Sequence, residues 1–267
     1  MKTSSRFSLN NKWVLITGAS SGFGAAAAMA FAGTGARLLL GARRADRLKK
    51  VAAAAISAGA AEAVFHKLDV SQTASVDNFI RWARQKLKSK PLHVLVNNAG
   101  GAHGLDTVAD GKDTDWETTF QTNVLGLLRM TRGALPLLPR DDGASIINIG
   151  SIAGRTAYAG ASAYCAAKAS ELQITRTLRH ELFGTGIRVG TVDPGLAKTE
   201  FAIVRFKGDK QKADDVYAGM NPLTAEDIAE IIVWVASRPP HVNIDEILVK
   251  PTDQADMGKV FRRPKQV

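Results

Sequence analysis

Tyr164 and Lys168 stand four residues apart in Tyr164-Cys165-Ala166-Ala167-Lys168, a stretch free of glycine and proline. In a helix that spacing puts both side chains on one face, a turn apart, so they can share a site. A free phenol titrates at about 10, and an ammonium beside it favours the phenolate, which eases proton exchange near neutral pH. Read singly, a tyrosine here is a half-buried aromatic and a lysine a solvated charge. Upstream, the β-prone run 145–149 ends in Gly150-Ser151. The Ser151 hydroxyl thus sits at a strand's carboxyl end, where it can hold a carbonyl oxygen or simply cap a helix.

A second group of residues suits phosphate. Thr17-Gly18-Ala19-Ser20-Ser21-Gly22-Phe23-Gly24 follows the first apolar run and leads into the alanine-rich stretch 25–32. Glycine lets backbone turn tightly against a pyrophosphate, and free N–H groups at a helix start attract anionic oxygens. The spacing is not Gly-x-Gly-x-x-Gly, so taken alone it weighs evenly between a dinucleotide site and an ordinary tight connection. After the second run the chain reads Gly41-Ala42-Arg43-Arg44, with no Asp or Glu to meet the ribose hydroxyls of an NAD site. A guanidinium pairs with phosphate and stacks on adenine, so Arg43, with Arg44 beside it, suits the extra phosphate of NADP.

These groups need a frame that brings them together. Short β-prone runs at 13–17, 37–40, 63–68, 93–96, 145–149, 188–192 and 244–249 alternate with helical patterns. Several runs are almost wholly apolar, as expected of strands covered on both faces. The alternation predicts an α/β fold: a doubly wound Rossmann-type parallel sheet with helices on both faces, in a single domain. Val76, Phe79, Ile80, Ala83 and Leu87 form one helical stripe, and Trp116, Phe120, Val124, Leu127 and Leu135 form another, both read as core faces. Thr224 with Asp227 marks a helix start before Ile228, Ile231, Ile232 and Val235.

Composition narrows the function classes. With 45% hydrophobic and 22% charged residues in 267, the chain can build a large core and is not of a disordered type. The net charge of +10 comes without a long basic tract or interleaved aromatics, which argues against nucleic acid and fits attraction to small anions. Arg262, Arg263 and Lys265 read as a solvated tail. No secretory h-region occurs in 1–11 and no run is long enough to span a bilayer, so the expectation is a soluble, cytoplasmic protein without a membrane partner. The single cysteine, Cys165, can form no internal disulfide and has no obvious partners for a metal.

In sequence order the chain carries Thr17 through Gly24, Leu68-Asp69-Val70, Asn97-Asn98-Ala99-Gly100, Asn123, Ser151, Tyr164 with Lys168, and Asp193-Pro194-Gly195. From Trp13 to about Pro251 it resembles the short-chain dehydrogenase/reductases. The resemblance implies hydride transfer between a nicotinamide and a carbonyl carbon, without a metal. Asn123, Ser151, Tyr164 and Lys168 would be the catalytic set, with Tyr164 as acid/base, Ser151 orienting the substrate oxygen and Asn123 in a water-mediated proton relay. The cofactor would lie along Gly18, Ser20, Ser21, Gly22, Phe23, Gly24, Arg43, Arg44, Asp69, Val70, Asn97, Ala99, Gly100, Tyr164, Lys168, Pro194, Gly195 and Thr199. Each has a structural alternative: Asp69 as a turn cap, Asn97 as a strand-end brace, Pro194 as a strand stop, Asn123 as a local bond within a helix.

The segment from Pro194 to Asp209, with Tyr158-Ala159-Gly160 and Pro240-His241-Val242-Asn243-Ile244, is similar to the NADP-dependent 3-hydroxy acid and serine dehydrogenases. That subgroup implies a small hydroxy or oxo acid as substrate, a substrate lid near 196–220, and a homotetramer built partly on helices around 116–135 and 161–182. Substrate would meet Ser151, Tyr164 and Arg205, the last through its carboxylate. The domain would run over 13–251, after an extension 1–12 and before a tail 252–267. Arg155 and the loop Gly101-Ala102-His103-Gly104 depart from the subgroup's pattern; Arg155 and His103 are read as surface residues. The rivals are a broad NADPH carbonyl reductase of ketones or sugars and a noncatalytic nucleotide sensor, against which intact Ser151, Tyr164 and Lys168 argue.

Overall fold

Alternate residues of the first strand face opposite ways, as its two-residue period requires. Val14 and Ile16 join one apolar core, Trp13 and Leu15 the other. The computed structural model, which describes residues 6–140 and 142–264, surrounds that strand, β1 (Trp13–Thr17), with β2 (Arg37–Ala42), β3 (Glu62–Lys67), β4 (Leu92–Asn97), β5 (Ser145–Ile149), β6 (Arg188–Pro194) and β7 (Glu246–Val249). All pairings are parallel, in the order β3-β2-β1-β4-β5-β6-β7. The chain winds outward one way from β1 and the other way from β4. Connections leaving those two strands diverge and open a crevice at their carboxyl ends. This is the single doubly wound domain that the alternation of runs predicts.

The helices are α1 (Gly22–Ala32), α2 (Ala45–Ser57), α3 (Thr73–Leu87), α4 (Asp113–Phe120), α5 (Gly126–Ala134), α6 (Ser162–Glu181), α7 (Phe201–Arg205), α8 (Lys210–Asp215) and α9 (Ala225–Ala236). Residues of α1, α2 and α9 fill the core on one face of the sheet; residues of α3, α5 and α6 fill it on the other. The expected stripe of α3 is buried throughout, Val76 to Leu87. On α9 Thr224 and Asp227 close a reciprocal capping box, and Ile228 and Ile232 are fully buried. Each such side chain contributes roughly 1.5–3 kcal/mol by leaving water, far more than the helix propensity of its residue.

The stripe expected over 116–135 holds only in part: Leu127 is buried and Leu135 packs against the core. A π-turn at Gln121–Leu125 separates α4 from α5, and its wider winding rotates everything downstream. The buried positions from α4 to α5 are Thr119, Asn123, Gly126, Leu127, Met130, Thr131 and Ala134. Trp116, Phe120, Val124 and Leu135 are left half-exposed, with Trp116 and Phe120 stacked at 6.1 Å. A 3.6-residue period extrapolated through a π-turn points to the wrong face.

Both ends of the described chain are pinned. Leu9 is buried, and the guanidinium of Arg188 lies 5.8 Å from the Phe7 ring. Arg262 and Arg263 are exposed, as expected of a solvated tail, but both are anchored to the domain. Arg262 donates to the carbonyls of Val216 and Ala218, and Arg263 pairs with the buried Asp253 at 2.6 Å. Lys265 lies outside the described residues. Among those described, no helix is long and apolar enough to cross a membrane.

Candidate active site

The first βα connection turns at Gly18, whose φ of +66° disfavours any side chain. A Cβ on Gly24 would come within 2.5 Å of the Gly18 carbonyl oxygen, so glycine there lets α1 close on the turn. The mouth of that turn opens into a cavity of about 600 Å³, walled by Gly18, Ser20, Ser21, Gly22, Phe23, Arg43 and Arg44 at one end. Arg44 Nη2 donates to Ser20 Oγ at 3.2 Å and Ser21 Oγ at 2.6 Å, and its Nη1 pairs with Glu200 at 2.9 Å. Arg43 is exposed on the wall, and no hydrogen bond or ion pair to it occurs among the described residues. A glycine turn at a helix start with a free guanidinium beside it suits the phosphates of NADP.

Along the wall follow Asp69, Val70, Ala99 and Gly100. The Asp69 carboxylate accepts from the Ser71 amide at 3.0 Å and the Ser71 hydroxyl at 2.7 Å, so it also braces the turn after β3. Asn97 does not reach the cavity. It is buried, and its amide donates to Thr131 Oγ1 and Asn148 Oδ1, each at 2.9 Å. Asn148 in turn donates to Thr175 Oγ1 at 2.8 Å, and that hydroxyl to the Glu171 carbonyl at 2.8 Å. This buried ladder ties α5, β4 and β5 to α6. Polar groups so satisfied in a dry interior fix one register, here that of the helix carrying Tyr164 and Lys168.

Tyr164 and Lys168 both line the cavity, and Lys168 Nζ lies 5.9 Å from the centre of the Tyr164 ring. Lys168 is buried. Its ammonium donates to the Ile149 carbonyl and to Glu171 Oε2, each at 2.7 Å. Glu171 is 2% exposed, its Oε1 has no partner, and burial pushes its carboxyl up to about 7 against the pull of Lys168. Ser151 Oγ accepts from the Ala153 amide at 3.1 Å, capping a short turn, while its side chain faces the cavity. Asn123 sits in the π-turn behind the wall, its amide donating to Gly101 O and Thr119 O at 2.8 Å.

The far end of the cavity is closed by Pro194, Gly195 and Thr199, then by Phe201, Arg205 and Tyr217 from the 196–220 segment. Arg205 Nη1 donates to the Tyr158 hydroxyl at 2.7 Å, and its Cζ lies 5.9 Å from the Tyr164 ring centre. Arg205 Nε and Nη2 are buried without a partner. Burial raises the Tyr158 phenol and pushes Tyr217 up to about 12, so both are neutral hydrogen-bonding groups at physiological pH.

Of the candidate catalytic, cofactor-binding and substrate-binding residues, Gly24, Asn97 and Asn123 stand behind the cavity wall and the rest line it. Asn98, part of the Asn97 to Gly100 marker, lines the cavity and donates to Thr17 O at 2.8 Å; sequence reasoning passed over Glu171. Glu171 had a legible signal: it falls three residues after Lys168, hence on the same helical face.

Residues 12–210 match the family described as short chain dehydrogenase. The chain is 43% identical over 256 residues to an NADP-dependent 3-hydroxy acid dehydrogenase of Schizosaccharomyces pombe, covering 96% of this chain and 98% of that one. It is 43% identical over 244 residues to sulfoacetaldehyde reductase 2 of Chromohalobacter salexigens, with 91% and 95% covered. A solved structure, the closed form of serine dehydrogenase complexed with NADP+, superposes with a TM-score of 0.83 at 38% identity, over 94% of this chain and 100% of that one.

Proposed function

The chain belongs to the short chain dehydrogenase family, and from that premise we propose that it is an NADP-dependent dehydrogenase of a small 3-hydroxy acid. In reverse it would reduce the 3-oxo counterpart. One observation carries the choice of an acid: Arg205 lines the cavity with Nε and Nη2 buried and unpartnered. A desolvated guanidinium with free donors is costly unless an anion meets it, and its fork matches the two oxygens of a carboxylate. Tyr158, on Nη1, holds that fork in place. A sulfonate would satisfy the same donors.

Arg43 with Arg44 would take the 2′-phosphate, the Gly18 to Phe23 turn the pyrophosphate, and Asp69 and Val70 the adenine. Ala99 and Gly100 would take a ribose, and Pro194, Gly195 and Thr199 the nicotinamide end. When bound, NADP supplies the acceptor or donor of the hydride. Ser151 donates a hydrogen bond to the substrate oxygen. In oxidation that oxygen's proton passes to Tyr164 Oη as the carbon loses its hydride; in reduction Tyr164 returns it. Lys168 keeps a positive charge beside the phenol. The homologous NADP-named enzymes and the absence of a carboxylate after β2 support NADP over NAD.

A homotetramer in the cytoplasm belongs to the same reading; the half-exposed Trp116, Phe120 and Val124 support an interface between subunits. A panel followed by nicotinamide absorbance, with NADP+ and NADPH, tests the whole. It should contain 3-hydroxy acids, their neutral esters, a 2-hydroxyalkyl sulfonate and simple ketones. Preference for the anionic members is expected. Equal use of neutral ketones would make the protein a broad carbonyl reductase, and binding of NADPH without turnover of any member would make it a sensor.

A further inference from the structure

We propose that Glu171 is a positioning residue: by pairing with Lys168 in the buried floor of the cavity it keeps that side chain an ammonium, pressed against the Ile149 carbonyl, while Tyr164 exchanges its proton. This rests on the reading of Tyr164 as the acid/base. Lys168 is 6% exposed and Glu171 2%. An ammonium so far from water tends to shed its proton unless an anion faces it. Above about pH 7, where its carboxyl is ionised, Glu171 is that anion, at 2.7 Å, and it raises the lysine above its ordinary value against the cost of burial.

The other charged or titratable groups facing the pair reinforce the assignment. Tyr164 lies a turn away on α6. Asp193, on β6, is the next carboxylate, but Thr191 takes one of its oxygens and Arg155 the other. From β5 come the Ile149 carbonyl and the neutral Asn148 amide, which is spent on Thr175. The carboxylate in contact with Lys168 is therefore Glu171, and its free Oε1 shows that it serves no second cation. A lysine held this way spends two of its three N–H bonds on protein and keeps the third for the cavity it lines.

The test is the pH profile of kcat/KM for hydroxy-acid oxidation, with NADP affinity from quenching of intrinsic fluorescence, in the wild type, Glu171→Gln and Glu171→Asp. Glutamine keeps the shape and loses the charge. The expected result is an alkaline limb that moves down by at least about one pH unit in Glu171→Gln, hence a loss of about tenfold at high pH and little at low. Asp should restore part of the limb. A Glu171→Gln profile parallel to the wild type, or unchanged, overturns the inference alone. Near-normal turnover by Tyr164→Phe overturns the underlying reading and the inference with it. Should Glu171→Gln fail to fold, ¹⁵N-lysine NMR of the wild type decides: a Lys168 ammonium that outlasts the exposed lysines as pH rises supports the pairing, and one that loses its proton before them overturns it.

Discussion

Arg155 Nε donates to the Asp193 carboxylate at 2.7 Å, and Nη2 of the same guanidinium reaches Glu246 at 2.6 Å. Asp193 is 1% exposed, the second-to-last residue of strand β6, just before Pro194-Gly195. A buried carboxylate needs a cation, and Arg155, which departs from the pattern of the related subgroup, provides it. The arginine thus acts on the scaffold beneath the cofactor-side turn. It does not line the cavity.

That chain of charges reaches solvent at Glu246, which makes acid stability sensitive to it. The hydrogen bond from Arg176, and after it that from Arg155, hold the Glu246 carboxyl down at about 2 in the face of desolvation. The folded value lies below the ordinary 4.5, so the contribution is complete above about 4.5 and fades as pH falls toward about 2. Glu246→Gln should lower Tm by about 1–3 °C near neutral pH, the range for a partly exposed pair. Melts recorded down an acid series should show the two proteins converging; a constant gap would assign Glu246 a packing role.

Tyr164→Phe removes one oxygen from a ring packed against Phe201 at 5.3 Å. Fold and NADP affinity should survive, because the buried ladder to Asn148 and Thr175 sets the place of α6 and does not involve the phenol. Turnover should fall about a hundredfold to ten-thousandfold, the usual worth of a general acid/base. Stopped-flow absorbance with saturating cofactor measures it, and a change below about tenfold would remove Tyr164 from the chemistry.

The strands and most of the cavity wall were legible because their signals are local: apolar runs, glycine at a positive-φ turn, a tyrosine and lysine one helical turn apart. What escaped depended on non-local or irregular geometry. Asn97 and Asn98 are adjacent in a strand end, and no sequence feature says which faces the cavity; the pleat sends Asn97 inward to Thr131 and Asn98 to Thr17. The π-turn at 121–125 carries no residue signature, so one stripe drawn through 116–135 could not hold on both sides of it. Arg262 and Arg263 looked like tail charges because their partners, Val216, Ala218 and Asp253, lie up to 46 residues away in sequence.

Arg43 and Arg44 follow β2 together but differ in what they already hold. Arg44 is engaged by Ser20, Ser21 and Glu200, whereas Arg43 stands free at the cavity rim. Arg43→Ala should weaken NADP by about tenfold to a hundredfold, the worth of a charge-assisted bond, and NAD hardly at all. Titration of both cofactors by protein fluorescence checks the difference. Equal small losses would shift the phosphate to Arg44.

In the proposed function Arg205 is the residue that would recognise an acid. Its guanidinium belongs to α7, in the segment that closes the far end of the cavity, and is held by Tyr158 on one side and the Tyr164 ring on the other. Arg205→Ala should therefore cut kcat/KM for a 3-hydroxy acid by about tenfold to a hundredfold, as loss of a bond to a charged group of about 1.5–3 kcal/mol requires. A neutral ester of the same acid should lose far less, and NADP affinity should stay the same. Arg205→Lys keeps the charge but not the fork, so it should fall between the two. Tyr158→Phe frees Nη1 without removing charge, and it should raise KM for the acid more than it lowers kcat, since it loosens a binding group. If ester and acid lose efficiency equally in Arg205→Ala, the residue closes the cavity without reading the substrate, and the buried Nε and Nη2 must find their anion elsewhere.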